Sequence, residues 1–125
     1  MQVTISAVSD GEHPVVLFDS AIGSGRGRWM VGKPRLGTTY DVEFKMPYLR
    51  WGEQIFVSDF SRPRIAMASD QLLITLQIKR VDVEGVLELR LGESVVLMET
   101  TGVPAEPGNW IDVRLQALDL YDTNT

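Results

Sequence analysis

Cysteine is absent from the 125 residues and histidine occurs once. The first absence removes disulfides, thiolate nucleophiles and zinc–sulfur sites together. The second leaves His13 as the only imidazole, inside a Ser-Asp-Gly-Glu-His-Pro turn. A Ser-His-Asp triad needs an imidazole held by rigid structure, so His13 reads as an exposed turn residue. No run of roughly 18 apolar residues occurs, so no helix is expected to cross a membrane. The opening MQVTISAVSDGEH lacks the basic start and apolar core of a signal peptide, which makes the cytoplasm the expected address. Helical periodicity is missing from every stretch longer than a turn, and there is no internal repeat.

Positive charge is also in short supply. Twelve Lys and Arg face seventeen Asp and Glu, for a net charge of −5 and a pI near 4.8. Nucleic acids and anionic membrane surfaces are held largely by cations, so the balance argues against both as partners. The charge is uneven along the chain. Residues 26 to 64 hold eight bases and four acids, and residues 65 to 125 hold four bases and ten acids.

What is present is strand pattern. A chain of this length forms one domain, and 44% hydrophobic with 23% charged residues is ordinary for a globular protein. Ile74, Leu76 and Ile78 alternate with polar neighbours, as do Leu87, Leu89 and Leu91. Val83-Glu84-Gly85-Val86 and Leu91-Gly92-Glu93-Ser94-Val95 supply two reversals, so residues 72 to 101 form a three-stranded antiparallel meander. Further strands are expected at Gln2 to Val8, Val15 to Phe18, Thr38 to Met46, Gln54 to Ser58, Arg64 to Ala68 and Trp110 to Leu120. The last changes its apolar phase near Ala117, which requires a bulge or bend. Gly102 to Asn109 reads as a Pro/Gly loop and Tyr121 to Thr125 as a frayed tail. Asp19 to Gly37, with five glycines, reads as a long loop. Its Gly-Ser-Gly-Arg-Gly-Arg run matches neither a phosphate loop nor a dinucleotide fingerprint, because no Gly-Lys-Ser/Thr, helix or βαβ unit accompanies it.

The order of strands points to a small antiparallel all-β barrel, OB-like, from the Tyr40 strand, a short strand, the meander and the final strand, with an added N-terminal hairpin. A β-sandwich is the alternative. The run Gly85 to Leu97, a Pro/Gly loop, then Trp110-Ile111-Asp112-Val113 closing on Leu118-Asp119-Leu120-Tyr121 resembles small bacterial proteins with OB-like barrels. Some of those are thought to be immunity or accessory partners in contact-dependent systems. The resemblance covers framework positions in the C-terminal half and implies no catalytic residue.

Two constellations are candidates for function. Asp82, Glu84, Glu88, Glu93 and Glu99 give the meander an acidic surface that would steer a basic protein partner. Their spacing matches no EF-hand, so no metal and no cofactor is expected. Arg26, Arg28, Trp29, Lys33 and Arg35 are the alternative, a basic-aromatic segment for single-stranded nucleic acid. Trp51 and Trp110 are expected to plug the ends of the barrel. The expected function is non-enzymatic binding of a protein partner. Self-association through an exposed edge at Gln2 to Val8 stays open.

Overall fold

The computed structural model describes residues 1–100 and 106–123, and within them every regular element is a strand. They are β1 Gln2–Val8, β2 Val15–Ser20, β3 Gly23–Trp29, β4 Thr39–Lys45, β5 Ile55–Val57 and β6 Arg64–Ala68. The remainder are β7 Gln71–Val81, β8 Val86–Leu91, β9 Ser94–Glu99, β10 Trp110–Leu115 and β11 Leu118–Asp122. Gly102 to Ala105 of the expected Pro/Gly loop, Thr101 at the end of the meander, and Asn124 and Thr125 of the expected tail lie outside the described residues.

Five strands close into a barrel. β2 lies between β1 and β3, β1 pairs with β4, and β4 pairs with β11, all antiparallel. β11 then runs parallel to β3, with Leu118, Asp119 and Leu120 opposite Gly27, Arg28 and Trp29, and this pairing completes the ring. Phe18 and Phe44 meet in its core with ring centroids 6.2 Å apart. Trp29 is buried with its ring edge-on to Tyr40 at 4.8 Å.

The second sheet is organised by β7. One edge of β7 pairs with β10, and β5 pairs with the far side of β10. The other edge is shared in sequence by β6, over residues 71 to 75, and β8, over residues 77 to 81. β9 follows β8, so the meander runs β7–β8–β9 with Gly85 and Gly92 at positive φ in its turns. Leu72, Ile74, Leu76, Ile78, Leu87, Leu89 and Leu91 are all fully buried. At roughly 1.5–3 kcal/mol of transfer free energy each, this row is the main apolar contribution of the sheet.

Three features differ from the sequence reading. The barrel is present, but its staves are β1 to β4 and β11, and the N-terminal hairpin is part of the wall. The meander stands outside because both edges of β7 are filled by second-sheet strands. Second, the long loop contains β3, in which Gly25, Gly27 and Trp29 are buried and Ser24 and Arg28 are exposed. Period two is there, with glycine standing where a hydrophobic residue would normally be. Third, Trp110 to Leu120 is two strands. The phase change near Ala117 is a corner at Gln116-Ala117 that carries the chain from the second sheet into the barrel. Tyr121 and Asp122 continue β11 instead of fraying. β1 pairs with β2 over Thr4 to Val8 and on its other side with β4 over Gln2 to Thr4, and Ile5 bonds to residues 37 and 38, so Gln2 to Ile5 is not a free edge for self-association.

A Cβ built at position 27 would lie 2.6 Å from Leu120 Cδ1 and 3.1 Å from the Leu118 carbonyl oxygen. Gly27→Ala is therefore expected to lower stability by about 1–3 kcal/mol through overpacking at the closing seam. Urea unfolding followed by tryptophan fluorescence reads this as a lower midpoint, and an unchanged midpoint would contradict the close approach.

Candidate protein-binding cleft

β4 and β9 border an open cleft of about 880 Å³. Alternation decides what each strand offers to it. In β4, Val42 and Phe44 turn into the core, which leaves Asp41, Glu43 and Lys45 outward. In β9, Val96 and Met98 are buried, while Val95, Leu97 and Glu99 face out. Val95 and Leu97 are each 61% exposed, which is unusual for adjacent apolar residues on one strand face. Tyr48 and Met46 add to the apolar lining.

The rim is acidic. Asp41, Glu43, Glu93 and Glu99 line the cleft, and Asp41 binds the Met1 ammonium at 3.0 Å. Lys45 is the side-chain cation among the lining residues, and its ammonium lies 4.6 Å from the centre of the Tyr121 ring.

The backbone of β9 is half used. Thr100 N–H donates to the Gly85 carbonyl, so the even-numbered residues of β9 direct their backbone groups at β8. The odd-numbered ones direct theirs away. Among the described residues β9 pairs with β8 alone, and the outward Glu99 carbonyl accepts from Leu49 N–H at 3.4 Å. The N–H and C=O of Val95 and Leu97 therefore form an open strand edge beside the cleft.

The five acidic residues singled out in the sequence do not all converge. Glu93 and Glu99 reach the cleft. Asp82 and Glu84 stand at the β7–β8 turn, where the Asp82 carboxylate accepts from Glu84 N–H at 2.9 Å. Glu88 pairs with Arg80 at 3.5 Å. Asp41 and Glu43, which sequence reasoning missed, join the two that converge. Their outward phase in β4 was visible, but the approach of β4 to β9 was not.

The basic-aromatic segment is taken apart by the fold. Arg26 is a clamp: it donates to the Asp70 carbonyl at 2.7 Å and the Gln116 carbonyl at 2.9 Å, and pairs with the Asp70 carboxylate at 3.2 Å. It thereby ties the β6–β7 turn, where Ser69 and Asp70 both have positive φ, to the corner before β11. Arg28 pairs with Asp119 at 2.8 Å. Trp29 is 2% exposed and cannot stack on a base. Lys33 and Arg35 remain exposed.

Other cations cover rings on β5 and in the segment between β5 and β6. Arg64 lies over Phe60 at 4.2 Å and Arg114 over Phe56 at 5.4 Å. Arg64 also donates to Thr75 Oγ1 at 3.0 Å, and that buried hydroxyl donates to Asp112 at 2.6 Å. Trp110 begins β10 and Trp51 bridges to Ile55 of β5, so both belong to the second sheet and not to the barrel ends. His13 is exposed. Among the described residues no group of three or more His, Asp or Glu could hold a metal ion, and no helix is long and apolar enough to cross a membrane. No protein-family model, curated protein or solved structure matches the chain.

Arg26→Ala removes three hydrogen bonds from a charged donor and an ion pair whose arginine is only 18% exposed. Stability is expected to fall by about 1–3 kcal/mol. Lys33→Ala, on an exposed residue, is expected to stay within ~0.5 kcal/mol. Thermal unfolding of the two variants checks the contrast, and equal melting points would remove the clamp.

Proposed function

We propose that the chain is a non-enzymatic binding protein that acts through a protein partner, and that the β4–β9 cleft is the surface it uses. The observation that carries this reading is the pair of exposed side chains Val95 and Leu97 ringed by four carboxylates. An apolar centre with a charged rim is the usual anatomy of a protein interface. The rim would steer a basic partner and raise its association rate more than its affinity. The finer form of the proposal is an immunity-like or accessory protein in the bacterial cytoplasm, covering a basic surface on its partner. The nucleic-acid alternative loses support from the burial of Trp29 and the engagement of Arg26 and Arg28.

The immobilised chain and its Glu93→Lys, Glu99→Lys double variant, exposed to the same bacterial lysate, test the reading. A protein retained by the first and lost from the second is expected, with association that slows as salt rises. Recovery of oligonucleotides without protein would overturn it. In parallel, anisotropy of labelled single-stranded DNA and RNA at two salt concentrations is expected to show no binding.

A further inference from the structure

We infer that the cleft receives an extended segment of the partner, about seven residues long and basic at both ends, which adds as a strand to the open edge of β9. This rests on the protein-partner reading above and specifies its chemistry.

The edge supplies the pairing. Val95 and Leu97 present two N–H donors and two C=O acceptors in one line, the pattern that an added strand satisfies. A small molecule filling the cleft would leave that row unpaired. The apolar side chains of β9 then meet alternate side chains of the incoming strand, which favours Val, Ile or Thr between its ends.

The length and charge come from the acidic residues. Glu93 and Glu99 bracket the open edge. Glu99 ends β9 and Glu93 stands in the β8–β9 turn just before it; the six residues of β9 rise by roughly 17–20 Å, so a segment of about seven residues reaches from one carboxylate to the other. A lysine or arginine at each end of a seven-residue segment lies beside them, and Asp41 and Glu43 across the cleft add to the same field.

A second copy of this chain fits less well. Antiparallel pairing of β9 with its twin, in the register that uses every open group of Val95 and Leu97, sets Val95 against Leu97 of the other copy. The same register brings the Glu93 turn of each copy to the Glu99 end of the other, so that acid meets acid at both ends of the pairing. Like charges brought together across paired strands are destabilising. The occupant that complements the edge therefore carries cations where this chain carries carboxylates.

The test uses the full chain and the peptide acetyl-Lys-Val-Thr-Val-Thr-Val-Lys-amide, followed by NMR of isotope-labelled protein. Amide shifts centred on Val95 and Leu97 are expected. Replacing both peptide lysines by glutamate, or N-methylating alternate peptide amides, is expected to weaken binding by ~tenfold or more. Leu97→Pro should do the same without loss of fold, since it removes only an outward N–H from an edge strand. If that variant fails to fold, the N-methylated peptide on the unaltered protein decides the question. Absence of binding, shifts remote from β9, or indifference to the end charges would overturn the proposal. A concentration-dependent dimer abolished by Leu97→Pro would overturn it in favour of a second copy. A lysate partner that is sensitive to the Glu93→Lys, Glu99→Lys double variant but not to Leu97→Pro would keep the protein-partner reading and reject strand addition.

Discussion

A Cβ at position 25 would lie 2.7 Å from Ile65 Cγ2 and 2.8 Å from Leu72 Cδ1. One at position 23 would run into the Ile65 carbonyl oxygen. The seam between barrel and second sheet thus depends on β3 carrying only glycine at positions 23 and 25, where Ile65 and Leu72 fill the space instead. Glycine weakens an isolated strand through backbone entropy. Here that cost is offset by burial that a larger residue would prevent. The outward phase of the same strand does the complementary work. Arg26, one residue on from Gly25, reaches the β6–β7 turn and the Gln116 corner, the two places where the chain turns near this seam.

The corner at Gln116-Ala117 converts that seam into a closed barrel. β10 is an antiparallel member of the second sheet, and three residues after its end the chain is already pairing with β3 and β4. Closure by a parallel pair leaves β3 and β4 without free edges along β11, which deals with the exposed-edge problem for the barrel. The second sheet has no such solution. Among the described residues its path ends at β5 on one side and at β9 on the other, and β9 comes to rest beside the outward face of β4. The cleft is therefore a consequence of joining a closed sheet to an open one.

Strands with a hydrophobic period of two were legible in the sequence, and β1, β6 and the meander have the bounds or the turns expected of them. β3 was not, because its period is written in glycine, which hydropathy does not register. The phase change at Ala117 was visible as local geometry, but whether it bent one strand or moved the chain between sheets depended on partners far away in sequence. The same limit applies to the site. Glu93 and Glu99 were recognised as exposed acids, yet Asp82, Glu84 and Glu88 looked the same. Only the docking of β4 against β9 separates them, and that contact is set by the barrel, not by either strand. Arg26 and Arg28 looked like free cations because their acceptors lie on β11, at the preceding corner and in the β6–β7 turn.

An apolar edge such as Val95 to Leu97 is a hazard to any protein that leaves it open, since it templates pairing with unfolded chains and with itself. This chain has no proline or lysine within β9 to blunt it. What it has is a carboxylate at each end, Glu93 and Glu99, with Asp41 and Glu43 across the cleft. Such an arrangement does not close the edge. On the strand-addition reading proposed above it filters what pairs there, because a copy of β9 brings acid toward acid, while a segment with cations at its ends meets opposite charge. Lysine on the edge would have blocked self-pairing equally well and repelled that basic segment. Selecting acid over lysine makes sense where the edge must stay available to one class of strand while refusing its own.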